Sequence, residues 1–139
     1  MSDHIVKAYD QDITALKTQL AEMGGIAEEQ LANAIQALTK RDLTLADQVI
    51  RNDQQLDELE RRIEEKAILT IAKRQPMAKD LREIMVAIRV SSDIERIGDL
   101  AKNTAKRSIL PELLALEQRF APDDLYSVLS GVAAGMAGA

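Results

Sequence analysis

The chain of 139 residues is long enough for one ordinary domain, and its net charge of −5 argues against nucleic acid as its main partner, because phosphate backbones are bound by clustered cations. Its residues are 46% hydrophobic and only 2% aromatic, with 6 glycines and 3 prolines, which is typical of long helices rather than sheets. It contains no cysteine, so disulfides, thiolate metal sites and cysteine nucleophiles are excluded.

The N-terminal segment carries no targeting signal. It lacks the basic residues and apolar run of a signal peptide, and nowhere does the sequence approach the roughly 18 consecutive apolar residues that a membrane-spanning helix needs. A chain without cysteine also suits a reducing compartment. We therefore expect a soluble, cytoplasmic protein without membrane insertion.

The first predicted helix is long. Apolar residues recur with helical spacing over about residues 5–39. Gly24 and Gly25 lie inside this stretch, and each costs roughly 1 kcal/mol of helix stability relative to alanine. We expect them to mark a bend or a close contact with another helix rather than a break.

The second predicted helix follows a short connection at residues 40–42. Asp42 or Thr44 is the expected N-cap, since a short polar side chain there accepts a hydrogen bond from the first turn. The helix is predicted over about residues 45–73. Its buried side is expected to consist of six apolar residues: Val49, Leu56, Leu59, Ile63, Ala67 and Ile71.

The third predicted helix follows a turn at residues 74–76, because Pro76 lacks a backbone donor and restricts the residue before it. It is predicted over about residues 77–108 and is expected to stop at Pro111. Short connections make consecutive helices antiparallel neighbours. The predicted fold is therefore all-α, an elongated antiparallel three-helix bundle over residues 1–110.

Residues 111–139 are predicted to be a short connecting segment followed by the start of another helix. The triplet at residues 122–124, Pro-Asp-Asp, has the proline and the acidic residues that are typical of a helix's first turn. The start of a fourth helix is expected there.

One side of the third predicted helix is apolar in its first turns and acidic further along. Its first turns present Leu81, Ile84 and Ile88 as core. The following turns bring Glu95 and Asp99 to that side, four residues apart and therefore stacked. Buried carboxylates are unfavourable unless they are paired or bind a metal. We expect both a binding role for the acids and a roll of the helix that buries three other residues: Ile94, Ile97 and Ala101.

A matching acidic row is predicted along helix two, formed by Asp53, Asp57, Glu60 and Glu64. Asp53 and Asp57 precede Pro76 by about 19 to 23 residues, and Glu95 and Asp99 follow it by the same distance, so antiparallel helices bring the two pairs level. A set of carboxylate oxygens suits magnesium, manganese, iron, calcium or zinc. The sequence therefore predicts a metal site formed by Asp53, Asp57, Glu95 and Asp99.

Two alternatives to a metal site are consistent with the same residues. In the first, Arg89, Arg96 and Lys102 neutralise the acids in a surface ion-pair network, which would contribute little to stability. In the second, the carboxylate rows dock a basic surface of another protein. The chain would then be a metal-free helical protein-protein interaction module.

A further alternative is an enzyme whose metal is held by the carboxylates, such as a phosphatase or an oxidase, but the sequence does not favour it. A di-iron oxidase of the ferritin type needs Glu-x-x-His pairs, and the single histidine is His4. No second histidine is available to activate a serine nucleophile. Glycine-rich phosphate-binding loops are also absent from the sequence.

Three stretches resemble the PhoU family of phosphate-signalling proteins. They are DQQLD at residues 53–57, RQPMAKDLR at 74–82 and IERIGDLAKN at 94–103. Their order and spacing match the family over about residues 5–110. The second and third strings together are specific.

The resemblance implies a cytoplasmic, non-enzymatic regulator that links a phosphate ABC transporter to a sensor histidine kinase and keeps the phosphate regulon off when phosphate is plentiful. Family members consist of two tandem three-helix bundles, often form dimers, and carry D/E-x-x-x-D motifs that bind metal clusters. By position these motifs are Asp53 with Asp57 and Glu95 with Asp99, as ligands of iron, zinc, manganese or magnesium. The resemblance thus implies a homo-oligomer. This chain departs from the family pattern in holding one complete repeat, and the resemblance implies that residues 111–139 are a connector and the opening of a second, truncated repeat.

Overall fold

A computed structural model describes residues 2–119 of the chain, with side chains described at residues 6–111 and 115. Three helices account for nearly all of this part: α1 (Ser2–Lys40), α2 (Leu43–Arg74) and α3 (Ala78–Arg119). No strand occurs in residues 2–119. The prediction of an all-α fold of three packed helices is confirmed.

None of these helices, over the residues described, is long and apolar enough to cross a bilayer. The expected fourth helix at residues 122–124 lies outside the described residues. The expected domain boundary after residue 110 stays a prediction, since most of the chain beyond it is also outside them.

The link between α1 and α2 is two residues long and capped on both sides. Arg41 takes a left-handed conformation with a φ of 52°, and the backbone N–H of Asp42 donates to the carbonyl oxygen of Ala37 at 3.0 Å. The Asp42 carboxylate in turn accepts a hydrogen bond from the backbone N–H of Leu45 at 3.0 Å. Of the two expected N-caps, Asp42 is therefore the N-cap of α2.

The link between α2 and α3 also begins with a residue in the left-handed conformation. Gln75 is left-handed with a φ of 46°, and its backbone N–H donates to the carbonyl oxygen of Ile71 at 3.0 Å. Pro76 follows directly and prevents the helix from continuing. The carbonyl oxygen of Met77 then accepts from the N–H of Leu81 at 2.8 Å, which opens α3.

The chain divides into two compact units, each with a segment of all three helices. Unit 1 comprises the described residues up to Glu28 together with Gln54–Gly98. Unit 2 comprises Glu29–Asp53 and the described residues from Asp99 onward.

Unit 1 has a core of large aliphatic side chains. Leu16 and Met23 of α1 pack with side chains of α2 and α3 that are fully removed from solvent, namely Leu56, Ile63 and Ile84. Ion pairs join the same helices at the surface. Arg74 Nε lies 3.1 Å from an Asp12 carboxylate oxygen, and Lys17 Nζ lies 2.9 Å from Glu83 Oε1.

Unit 2 has a core made mainly of alanines. Five of its eight buried core residues are of this type: Ala34, Ala37, Ala46, Ala101 and Ala105. Val49, Ile50 and Ile109 complete it. The buried Gln30 amide donates to the carbonyl oxygen of Val49 at 2.8 Å, so α1 is also tied to α2 by a polar contact.

The predicted buried side of α2 is confirmed. Five of the six residues expected there are buried, and Ile71 is half-buried against the core of unit 1. The i, i+3, i+4 pattern of apolar residues was sufficient to identify this side.

The prediction for α3 is wrong at two positions. Leu81 and Ile97, both expected in the core, are 37% and 40% exposed. Ile84 and Ala101 are buried as expected, and Ile88 and Ile94 pack half-buried against the core of unit 1.

Small residues on α3 explain this difference. Ser91 and Gly98 are buried at seven-residue intervals from Ile84, so they occupy the inward positions of the helix. The Ser91 hydroxyl donates to the carbonyl oxygen of Ile88 at 2.7 Å, which satisfies the hydroxyl without a partner helix. A pattern that counts only large apolar residues therefore places the core face too far round the helix.

Gly24 and Gly25 do not interrupt α1. An added Cβ at either position would meet no atom within 4 Å, so the expected close contact with another helix is absent there.

Pro111 does not end α3, contrary to expectation. The helix continues to Arg119 with the proline inside it. Proline removes the donor that would pair with the carbonyl of Arg107, and both residues are exposed, so water can solvate that carbonyl. Packing of the buried Ala105 and Ile109 in unit 2 holds the preceding turns in helical form.

Candidate functional site

The four predicted carboxylates divide between the two units. Asp57 and Glu95 belong to unit 1, and Asp53 and Asp99 belong to unit 2. In each unit one acid is supplied by α2 and the other by α3. The helices thus present both D/E-x-x-x-D motifs in continuous helical geometry, as expected.

In unit 1 the two acids face outward to different degrees. Asp57 is exposed, whereas Glu95 is half-buried. The remaining members of the acidic row on α2 in this unit, Glu60 and Glu64, are half-buried as well. The row therefore follows the edge of the buried side of α2, where the spacing places it.

In unit 2 the two acids lie in contrasting environments. Asp53 is only 3% exposed, and its Oδ2 lies 3.6 Å from Nζ of Lys102 on α3. Asp99, by comparison, is exposed. A buried carboxylate is stabilised by a nearby cation, so Lys102 supplies charge compensation for Asp53.

No group of three or more Asp, Glu, His or Cys side chains in the described part of the chain is arranged to hold a metal ion. The assignment of Asp53, Asp57, Glu95 and Asp99 as ligands stays a prediction. Their donor type still suits a hard cation, since all four supply carboxylate oxygens.

Of the three cations expected in an ion-pair network, one forms an ion pair among the described residues. Lys102 pairs with Asp53, but within the described residues neither Arg89 nor Arg96 lies within 4 Å of a carboxylate oxygen. These two arginines instead line a groove on α3 together with Arg82. This groove was not predicted from the sequence, although the three arginines are spaced seven residues apart.

Tyr9 connects two helices of unit 1 through its phenol. Its hydroxyl donates to the carbonyl oxygen of Asp80 at 3.2 Å, which joins α1 to the start of α3. Burial raises the pKa of the Tyr9 phenol to about 12, and the carboxylates of Asp80, Glu83 and Asp10 add to the effect. Tyr9 therefore stays neutral and acts as a hydrogen-bond donor between helices.

Comparison with known proteins identifies relatives that match most of this chain. The model of the PhoU domain family matches residues 20–108. A phosphate-specific transport system accessory protein PhoU homolog of Rhizobium meliloti (strain 1021) is 57% identical over 106 residues, which cover 76% of this chain and 45% of the relative.

Two further relatives carry similar names. The PhoU homolog of Caulobacter vibrioides (strain NA1000 / CB15N) is 46% identical over 110 residues, which are 79% of this chain and 48% of the relative. The phosphate-specific transport system accessory protein PhoU of Escherichia coli (strain K12) is 37% identical over 109 residues, which are 78% of this chain and 45% of the relative. The chain thus spans about half the length of the curated relatives it matches.

Proposed function

The chain belongs to the PhoU family, and we propose that it is a non-enzymatic regulator of phosphate uptake and of phosphate-responsive genes. The observation that carries this proposal is the 57% identity to a phosphate transport accessory protein over 76% of the chain. At that level of identity over three quarters of the chain, a common role is the simplest explanation.

The proposed mode of action is that of an adaptor between a phosphate ABC transporter and a sensor histidine kinase, in the cytoplasm. Large apolar side chains on the surface support a role in protein contact: Ile68, Met77 and Leu100 are 61%, 79% and 62% exposed. Covering such side chains in an interface removes apolar surface from water and so favours binding. Self-association into a dimer is part of the proposal.

The proposal includes metal binding by Asp53, Asp57, Glu95 and Asp99. Iron, manganese, zinc or magnesium would be held by carboxylate oxygens, and the bound ion would supply positive charge to an otherwise acidic surface. Asp57 and Asp99 are exposed, so their side chains are free to change rotamer. Asp53 would have to exchange its contact with Lys102 for the ion.

Metal content and thermal midpoint, measured together, test this part. An Asp57→Asn, Glu95→Gln double variant removes one acid from each motif without touching a fully buried residue. We expect the parent chain to retain metal and to unfold at a higher temperature with it, because a ligand that binds only the folded state stabilises that state. The double variant is expected to lose both effects.

The matched control is a Glu28→Gln, Glu29→Gln double variant. Both residues are exposed on α1 and lie outside the motifs, and the change in charge is the same. Equal metal binding by the two double variants would contradict the predicted ligands.

The regulatory role is tested in cells that lack their own PhoU protein. A reporter from a phosphate-starvation promoter should be active in phosphate-rich medium and should be repressed when this chain is supplied. Pull-down of purified transporter ATPase and kinase domains on the immobilised chain provides a direct binding assay. A chain that neither represses the reporter nor retains either partner would refute the adaptor role.

A second candidate function is a metal-free helical interaction module. The ion pair between Lys102 and the buried Asp53 favours it, since one predicted ligand already has a protein cation beside it. Partner binding that is unchanged by a chelator and by the Asp57→Asn, Glu95→Gln double variant would support this candidate over the metal-binding one.

A further inference from the structure

A groove in unit 1, lined by residues of α3 and by Glu64 of α2, has a volume of about 720 Å³. It is distinct from the predicted metal ligands, none of which lines it. Three arginines lie along it at residues 82, 89 and 96. We call it the arginine groove.

The three arginines are exposed, and within the described residues none of them makes an ion pair shorter than 4 Å. Carboxylates are in excess in this chain, which has 23 acidic and 18 basic residues. Other cations of unit 1 do find carboxylates, as Lys17 does with Glu83. The guanidinium groups of the groove are therefore available to an external anion.

The spacing of the arginines determines what kind of anion fits. Residues seven apart on a helix are separated by about 10.5 Å along its axis and by only about 20° around it. A single small anion cannot bridge groups so far apart at hydrogen-bonding distance. A second helix that packs along α3 repeats its own side chains at the same seven-residue interval.

Apolar side chains lie between the arginines. Met85 and Val86 line the groove and are 53% and 52% exposed, and Ile88 forms part of its wall. Free inorganic anions gain nothing from such surface, whereas an amphipathic helix buries it. Alternating guanidinium and apolar surface is therefore complementary to a helix with carboxylates and aliphatic side chains on one side.

We propose that the arginine groove binds an acidic amphipathic helix of a partner protein. Carboxylates of that helix at seven-residue intervals pair with Arg82, Arg89 and Arg96, and its aliphatic side chains cover Met85 and Val86. The inference does not depend on the proposed role in phosphate regulation, because it rests on the residues of the groove alone.

Two acids in the groove set its selectivity. Glu64 of α2 and Asp93 of α3 line it together with the arginines. They repel carboxylates that are misplaced along the partner helix, so the pattern of acids matters as well as their number. A uniformly acidic strand is consequently a poorer ligand than a helix with acids in the heptad pattern.

A synthetic peptide of about 21 residues provides the probe, with Glu at every seventh position and Leu at the neighbouring positions of the same face. A control peptide of identical composition has its Glu residues moved to the opposite face. Fluorescence anisotropy of labelled peptide against the full 139-residue chain measures binding. The patterned peptide is expected to bind about tenfold tighter than the control peptide, since charge and apolar contacts then act together.

The groove variant is Arg82→Gln, Arg89→Gln, Arg96→Gln. Its matched control is Arg61→Gln, Lys73→Gln, Arg107→Gln, which removes three exposed cations that do not line the groove. All six side chains are exposed, and circular dichroism confirms that both variants are folded. The groove variant should lose about tenfold or more in affinity, and the control variant less than about threefold.

Several results would overturn the proposal. Absence of binding, equal binding of the two peptides, or equal losses in the two variants would each show that the groove does not recognise a patterned helix. Inorganic polyphosphate that displaces the peptide at equal charge would assign the groove to a free polyanion. Self-association that disappears in the groove variant, measured by sedimentation, would identify a second copy of the chain as the occupant.

Discussion

The two units bury different kinds of side chain although the same three helices contribute to both. The core of unit 1 contains large aliphatic residues such as Leu16, Met23 and Leu56, whereas that of unit 2 is mainly alanine. Alanine removes little apolar area per residue, so unit 2 gains less from the hydrophobic effect. It compensates with high helix propensity and with polar contacts such as that of Gln30 with Val49.

This difference predicts opposite sensitivities. A core of large side chains is damaged most by truncation, which leaves a cavity. A core of alanines has little to truncate and is damaged most by enlargement, which forces the helices apart. The following substitutions, from the largest expected effect to the smallest, test whether the contrast holds.

The largest effect is expected for Leu56→Ala in unit 1. Leu56 is fully buried, and its truncation should cost about 2–5 kcal/mol of unfolding free energy. Val49→Ala in unit 2, also at a fully buried residue, should cost less, about 1–2 kcal/mol, because fewer carbon atoms are lost. Urea unfolding followed by circular dichroism measures both, and equal costs would remove the contrast.

The converse substitution is Ala105→Leu in unit 2. Ala105 is fully buried among other small residues, so the added carbons should cost about 1–3 kcal/mol. Ala32→Leu, at an exposed position of α1 in the same unit, is the control and should change stability by less than about 0.5 kcal/mol. An unchanged unfolding free energy in Ala105→Leu would show that the alanine core can accept a larger side chain.

Gly25→Ala should stabilise the chain by about 1 kcal/mol, since alanine is the better helix former. The position is exposed on α1 in unit 1, and an added Cβ meets nothing within 4 Å. Ala32→Gly makes the reverse change at an exposed position in unit 2 and should destabilise by a similar amount. Thermal midpoints that move in the same direction would contradict this.

The smallest effect on stability is expected from the ionisation of Tyr9 in unit 1. Its pKa is raised to about 12, above the ordinary value near 10 that applies to the unfolded chain. The folded state holds the proton more tightly, so this stabilisation is full below about pH 10 and is lost as the pH rises towards 12.

Ultraviolet titration of the phenol checks this, with Tyr9→Phe to assign the signal between the 2 tyrosines of the chain. Asp80→Asn should lower the pKa of Tyr9, because it removes a carboxylate but keeps the backbone carbonyl that accepts the hydrogen bond. An ordinary tyrosine titration in the parent chain would contradict the burial of this phenol.

Much of the fold could be predicted from the sequence, because helical periodicity is a local property. The spacing of Val49, Leu56 and Ile63 identified the buried side of α2. Residue type alone restricted the N-cap of α2 to Asp42 or Thr44, and the structure has Asp42. Errors arose where packing overrides local preference. Pro111 lies inside α3 because neighbouring turns are held by tertiary contacts, which no local rule includes.

The candidate site was less predictable. The sequence identifies carboxylates on the correct helices, but grouping of side chains depends on rotamers and on competing cations such as Lys102. The arginine groove was missed because Arg89 and Arg96 were assigned to neutralise acids. Met85 beside them is exposed, and a pattern of large apolar residues did not indicate this because the small Ser91 occupies an inward position of α3.

The two interhelical links have a consequence for the evolution of this chain. Arg41 and Gln75 each hold a left-handed conformation that costs a residue with a Cβ about 1 kcal/mol or more relative to glycine. Neither lies in a core or lines the arginine groove. A lineage under selection for heat resistance would therefore have two independent single-residue routes to a more stable protein, glycine at either position, one in each unit.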